Sequence, residues 1–484
     1  MDIMALFVGT PDNDTITPAT ISAGVLIIPA NSDLTGDDAI VTLAGDDVVE
    51  GDSGNDIASL GDGSDRFIWN PGDGDDIVDG GDGTDTLEFN GSAAPEFMTV
   101  MTLANGGFRF FRNVGDITVD ATTVEVIEAN SGDGNDVIIA SGQTDPTVSL
   151  VVEAGGGNDV IVGGAGNDDL KGNTGDDVAF GFSGDDRFTW DPGDGDDTFD
   201  GGDDTDTLEF NGSDGAELMT VTTLANGGFR FFRDLGDITV DTINVERVEV
   251  NALGGDDTVD GSAQTRSDVA LEISGGAGND NLTGGAGNDL IAGNTGDDAA
   301  FGLSGDDRFV WDPGDGDDTF DGGDGTDTLE FNGSDGAELM TVTTLANGGF
   351  RFFRDLGDIT VDTINVERVE VNALGGDDTI DGSAQTNSDV ALEISGGAGN
   401  DNLTGGAGPD SFVFAEESGN GVVESDTING YSQAGGDVVD VSDAGGVIAS
   451  QVVAGNLELT LGGGDDDIVV LQGVTNVTDV TFIV

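Results

Sequence analysis

Three stretches of this chain repeat one another at a spacing of 121 residues, and within each the pattern Gly-x-Asp returns every nine. Trp69, Trp190 and Trp311 mark the long period, all within Asp-Arg-Phe-x-Trp. The short period is plain at Gly36/Asp38, Gly45/Asp47, Gly54/Asp56 and Gly63/Asp65. It returns from Gly157/Asp159 to Gly184/Asp186, and from Gly278/Asp280 to Gly305/Asp307. A repeat this short has no partner for its apolar edge except its neighbour, so the units must stack as a solenoid. Between the turns lie short apolar segments such as Leu290-Ile291 and Phe309-Val310-Trp311. One turn plus one such strand takes nine residues, so eighteen complete a coil. Asp168 and Asp186 then fall on one edge of the stack, Asp159 and Asp177 on the other. No segment carries a helical stripe. The fold class is all-β, a parallel β-roll or β-helix solenoid.

The long repeats set boundaries at 34–154, 155–275 and 276–396, with a truncated repeat over 397–445. Residues 1–33 read as an N-terminal cap and 446–484 as a C-terminal cap. Thr207–Thr258 is identical to Thr328–Thr379, the mark of recent duplication. Each repeat also has a second texture. In Leu329–Ala373 the alternation is longer, as in Phe350-Arg351-Phe352, Ile359-Thr360-Val361 and Val366–Val371, which predicts half-buried strands. These segments either widen the coils of one solenoid or form a small β-domain between rolls.

Charge narrows the function. Lys and Arg total 13 against 97 Asp and Glu, a formal charge of −84. Such a surface repels nucleic acid and anionic membrane, and its self-repulsion opposes any compact state. Yet 36% of residues are hydrophobic and sit at fixed places in the repeat. The expectation is a chain that collapses once its carboxylates are neutralised. Histidine and cysteine are absent, which excludes disulfides, the usual zinc sites and His-dependent catalysis. No apolar run is long enough for membrane insertion as a helix. Met1–Thr10 has no basic n-region, so any export signal is expected elsewhere.

Calcium is the cation this pattern suits. It takes about six to eight oxygens from carboxylates and backbone carbonyls. Gly-Gly-x-Gly-x-Asp offers both: the glycines allow a left-handed turn that aims carbonyls inward, and Asp adds the anionic oxygen. The candidate metal ligands are Asp38, Asp47, Asp56, Asp65, Asp76, Asp85 and Asp136 in the first repeat. In the second they are Asp159, Asp168, Asp177, Asp186, Asp197 and Asp257. In the third they are Asp280, Asp289, Asp298, Asp307, Asp318, Asp327 and Asp378, with Asp401 and Asp410 beyond.

The stretches Gly155-Gly156-Gly157-Asn158-Asp159-Val160-Ile161-Val162, Gly276–Thr283 and Gly285–Ala292 resemble the RTX family of hemolysin-type calcium-binding repeats. The resemblance implies a parallel β-roll holding multiple calcium ions. Departures occur at Pro409, and at Asp204, where the other repeats have Gly83 and Gly325. Insertions after each Trp (Asn70-Pro71, Asp191-Pro192, Asp312-Pro313) stretch the spacing to eleven and weaken the ligand assignment there. Phe412-Val413-Phe414 through Ser442 resembles the segment that closes RTX rolls. The end, Asp479–Val484, resembles an uncleaved type I secretion signal. The resemblance therefore implies the type I secretion machinery as a partner and a bacterial extracellular or cell-surface location.

Eleven of the thirteen basic residues recur in register, as Arg66/187/308, Arg109/230/351, Arg112/233/354 and Arg247/368. Each is expected to pair with a carboxylate, and Phe108, Phe110, Phe111 and their equivalents are expected in the core. An arginine base acting on an acidic polysaccharide would rarely come in tandem copies, so no enzyme is expected. The repeats themselves read as the function: a structural extracellular protein that self-assembles as a homo-oligomer or polymer in a surface layer, filament or matrix. The alternative is a monomeric calcium-dependent adhesin or effector that binds a cell-surface or glycan partner.

Overall fold

A computed structural model describes residues 5–28, 34–415, 423–462 and 467–484. The expected caps at 1–33 and 446–484 and the truncated repeat 397–445 lie partly outside these residues. The described chain is built from strands, with only two single-turn 3-10 helices, Gln433–Gly435 and Val477–Asp479. Among these residues no helix is long and apolar enough to cross a membrane. The chain divides into two compact units, Met1–Asn211 with Thr223–Glu249, and Gly212–Thr222 with Val250–Val484.

In the first unit the chain steps alternately between two parallel sheets. Val160 pairs with Val178 in the first sheet and Asp169 with Arg187 in the second, eighteen residues on in each. Where the insertion follows Trp69, the step lengthens: Ile57 pairs with Ile77 and Arg66 with Thr86. The extra residues form a turn closed by the Trp69 indole N–H, which donates to the Gly74 carbonyl at 3.0 Å. Inward-facing side chains stack in rows between the sheets. Ile161, Ala179 and Phe199 face Leu170, Phe188 and Leu208, all fully buried.

The second texture continues the roll and adds to it. Thr86 pairs with Val126 in the second sheet, still parallel. On the first sheet, however, Phe97–Thr102, Phe108–Arg112 and Ile117–Thr122 form an antiparallel run. Its last strand lies parallel to Asp76–Asp82 and its first parallel to Val137–Gly142. The hairpin thus lengthens one sheet by two strands, about 10 Å, and the other by none. Phe108 and Phe110 are buried and Phe111 is half-buried. Trp69 stacks on Phe89 at 4.2 Å and Phe89 on Phe110 at 4.0 Å, which ties the hairpin into the core.

The second unit repeats the scheme. Leu290 pairs with Arg308, and Arg368 follows Thr328 in the same sheet. Leu339–Thr344, Phe350–Arg354 and Ile359–Ile364 form the equivalent hairpin. Trp311, Phe331 and Phe352 stack at 4.1 and 3.9 Å. The first sheet closes with an antiparallel run, Val447–Val453, Asn456–Leu461 and Ile468–Leu471, whose last strand pairs with Ser425–Asn429.

Candidate metal-binding turns

Every aspartate named from the motif is buried. Each sits at the end of a glycine turn, just before a strand or, for Asp76, Asp197 and Asp318, at its first residue, and one arrangement recurs. Its Oδ1 accepts the backbone N–H of the turn one coil earlier: Asp38 N–H donates to Asp56 (2.7 Å), Asp159 to Asp177 (2.7 Å), and Asp280 to Asp298 (2.7 Å). The other edge does the same, with Asp47 N–H on Asp65 (2.8 Å) and Asp307 N–H on Asp327 (2.8 Å). The stretched turns keep the pattern, because Asp56, Asp177 and Asp298 each donate to Asp76, Asp197 and Asp318 at 2.8 Å.

The second oxygen is different. Oδ2 is buried without a hydrogen-bond partner in Asp47, Asp56, Asp65, Asp76, Asp85 and Asp136. The same holds for Asp159, Asp177, Asp186, Asp197, Asp257, Asp280, Asp298, Asp307, Asp318, Asp327, Asp378 and Asp401. Three of the expected ligands depart from this. Asp168, Asp289 and Asp410 accept on Oδ2 from the N–H of Gly164, Gly285 and Gly406. They open a new stack after each hairpin, where a leucine N–H (Leu150, Leu271, Leu392) takes the place of an aspartate N–H.

Sequence reasoning missed several members. Asp206 has the same orphaned Oδ2; its register with Asp85 and Asp327 was the signal, obscured by the adjacent Asp204. Asp426 and Asp437 accept from the N–H of Asp401 and Asp410 and extend the stacks. Glu125, Glu246 and Glu367 accept from Asp85, Asp206 and Asp327 where the glycine turn is lost.

Two glycine positions make room for this. An ideal Cβ on Gly51, Gly172 or Gly293 would lie 2.3, 2.1 or 2.2 Å from the Oδ2 of Asp56, Asp177 or Asp298. Their φ values are not positive, so the carboxylate, not the backbone conformation, demands glycine. Three residues on, Gly54, Gly175 and Gly296 have φ of 143°, 140° and 147°. A Cβ there would meet the carbonyl of Gly36, Gly157 or Gly278, 1.6–2.2 Å away. Turn carbonyls are therefore stacked coil upon coil beside the carboxylates.

Burial makes these carboxylates costly to ionise. Desolvation, reinforced by the aspartates of neighbouring turns, pushes Asp76, Asp186, Asp197 and Asp318 up to about 8. It pushes Asp56, Asp159, Asp307 and Asp378 up to about 7. The N–H donated to Oδ1 opposes the shift without cancelling it. A buried anionic oxygen with no donor is the position a hard cation neutralises. Among the described residues no three acidic side chains converge on one point. With one carboxylate per turn, the stacked glycine carbonyls would have to complete the shell, an all-oxygen set that suits calcium. The ion would supply charge neutralisation and hold successive turns together.

The arginines are paired within the chain. Arg66 bridges Glu88 and Glu128, and Arg308 bridges Glu330 and Glu370, on the outer face of the second sheet. Arg109 and Arg351 pair with Asp120 and Asp362 across the hairpins at 2.6 Å. Arg112 with Glu96, and Arg354 with Glu338, are buried, and their guanidiniums lie 5.4 and 5.6 Å from the rings of Trp69 and Trp311.

The chain matches the family model of the RTX calcium-binding nonapeptide repeat (4 copies). The matches cover residues 34–67, 72–91, 151–179, 162–189, 274–309, 314–336, 370–388 and 393–412. No curated protein matches it. Among solved structures it aligns with the extracellular lipase LipA from Serratia marcescens at 15% identity and a TM-score of 0.15, over 72% of this chain and 45% of that one. The chain thus spans less than half the length of that lipase. The matched segments hold the glycine turns and most of the orphaned aspartates of the long repeats, so this chain carries RTX calcium-binding nonapeptide repeats in multiple copies.

Proposed function

We propose that this is a secreted protein whose repeats are its function: calcium folds it outside the cell into a structural element that associates with further copies. The observation that carries the reading is the series of buried Oδ2 atoms with no partner. Where calcium is scarce, as in the cytosol, these charges oppose folding and keep the chain fit for export by the type I machinery. At millimolar calcium, binding becomes folding free energy. The arginine that a polysaccharide-cleaving site would use as base is held bidentately in the second hairpin, Arg230 on Asp241 at 2.6 and 2.7 Å. The reading assigns no catalysis.

Self-association is supported by the end of the first sheet. Val447–Val453 pairs on one side with Asn456–Leu461, and among the described residues its other edge is open. The strand carries no charge and is exposed along nearly its whole length. Natural edges are usually blunted by charge, proline or bulges; this one has a register shift at Val447/Ala449 but neither charge nor proline along it. Light scattering with negative-stain imaging, as calcium rises to about 10 mM, tests both parts. Ordered polymers should appear with calcium and be lost in Ile448→Lys/Val452→Lys. A wild type that stays monomeric at every concentration defeats the assembly reading, and full structure in chelator defeats the calcium reading.

A further inference from the structure

The outward face of the first sheet carries a cleft in the first unit that metal ligation leaves unexplained. Phe180 and Phe182 project from Val178–Ser183, 36% and 50% exposed. Phe182 occupies the second position of its turn, where the backbone is left-handed at φ 83°. In other turns that position holds Gly61, Gly81 or Gly202, or Asn173 at φ 62°, residues that enter this region readily, and in two turns of the other sheet Leu253 and Leu374 at φ 73° and 72°. A phenylalanine there is disfavoured twice, by its backbone and by its exposure.

The neighbouring strand completes the cleft. Phe180 pairs with Asp200 and Phe182 with Gly202. Gly202 has no side chain to fill the space, and a Cβ there would sit 2.3 Å from the Phe182 carbonyl. Asn244 donates to Asp200 at 2.8 Å, and the cleft of about 260 Å³ is closed by Asp203. The second unit repeats the arrangement. Phe301 pairs with Asp321, Leu303 (φ 78°) with Gly323, and Asn365 donates to Asp321 at 2.8 Å. The first long repeat has Ser59 and Gly61 there instead, opposite Asp79 and Gly81.

We propose that the Phe180–Phe182 cleft and its copy at Phe301–Leu303 each bind a sugar residue of a neutral polysaccharide. An exposed ring offers a platform for the C–H face of a pyranose. The carboxylates and amide on the other wall accept from and donate to its hydroxyls. The same carboxylates, within a chain of charge −84, repel uronic acids, sulfated glycans and other anions. Two copies of the site on one chain suit a ligand that itself repeats, since each added contact raises avidity. The site needs the folded roll but not self-association.

The test is retardation of the full chain in about 10 mM calcium by dextran, mannan and galactan, with alginate as the anionic comparison. The variant Phe180→Ser/Phe182→Gly/Phe301→Ser/Leu303→Gly carries residues the first long repeat already tolerates. It should keep its strand signal and calcium response, gain or hold thermal stability as the left-handed positions relax, and lose binding on the order of tenfold or more. If it folds poorly, Asp203→Ala/Asp324→Ala, in the glycine turns of Asp206 and Asp327 but not among the buried carboxylates, should weaken binding several-fold, with the calcium response read alongside. Failure of the wild type to bind any neutral polymer, preference for alginate, or unchanged binding in the folded variants would overturn the proposal.

Discussion

Asp318→Asn should raise stability in chelator and shrink the stabilisation that calcium brings, two effects of opposite sign from one atom. Asp318 accepts the Asp298 N–H on Oδ1 at 2.8 Å, and its Oδ2 is buried without a donor. Burial first, then the charges of Asp298 and Asp315, push its pKa from 3.8 to about 8. At about pH 7.5 the metal-free fold must therefore protonate or strand this group. At about 1.4 kcal/mol per pH unit, the cost is on the order of 5 kcal/mol. An amide keeps the acceptor for Asp298 N–H and removes the charge, so several kcal/mol should return in chelator. Calcium acts the other way. At about 10 mM, and with the dissociation constants of roughly 10⁻⁴–10⁻³ M usual for extracellular modules, each ion contributes about 1.4–2.7 kcal/mol. The variant should lose that increment for each ion Asp318 helps to hold. Urea unfolding followed by circular dichroism, with EGTA and with calcium, separates the two terms. A variant no more stable than wild type in EGTA, or with the full calcium increment intact, would refute the assignment of Oδ2 to a cation.

The same atoms yield further expectations. Gly293→Ala, whose Cβ would lie 2.2 Å from Asp298 Oδ2, should weaken the calcium response. Gly314→Ala, at φ 123° with open space around it, should cost about 1 kcal/mol and leave that response unchanged in calcium titrations. Removing one partner of a buried pair, as in Arg354→Met, should destabilise by roughly 3–5 kcal/mol in chemical denaturation, and Arg354→Met/Glu338→Gln should recover part of it. In chelator the folded carboxylates at about 6–8 hold more protons than the unfolded chain at 3.8. The metal-free fold should therefore be favoured near pH 4 and lose that contribution as pH rises through about 6–8; thermal melts across that range check the direction. With calcium present the dependence should reverse, because protonated carboxylates do not ligate.

Much of this could be read from spacing. The nine-residue period placed Asp159 and Asp177 on one edge and Asp168 and Asp186 on the other, and the hydrogen bonds run along those two edges. The second texture was harder, because an alternation of period two is the same in parallel and antiparallel strands. The missing clue was turn chemistry. Asn347-Gly348 lies between Leu339–Thr344 and Phe350–Arg354, and Asn-Gly between alternating strands signals a hairpin. Gly357 and Asp358 make the next reversal, both with positive φ. Ligand-site irregularities were less visible still. Asp168, Asp289 and Asp410 match the motif as well as any other. Only the topology shows that a hairpin has left them at the start of a stack, where a glycine N–H reaches the second oxygen. The cleft beside Phe182 was equally hidden, since the motif does not reveal which face of the sheet a turn residue takes.

Apart from Asp168, Asp289 and Asp410, the motif aspartates divide two tasks between their oxygens. Oδ1 accepts from the preceding coil and so specifies which turn lies above which, without any ion. A slip of one turn along the chain would exchange the two edges and break the eighteen-residue ladder, so register is encoded in the hydrogen bonds. Oδ2 adds nothing to register; its desolvation withholds stability until a cation arrives. Specificity and stability are thereby uncoupled, which suits the calcium-driven folding after export that we propose. A metal site made of several converging carboxylates would couple them, since its register would form only with the ion. One carboxylate per turn, repeated along both edges, would let calcium act on a fold whose pairing is already determined.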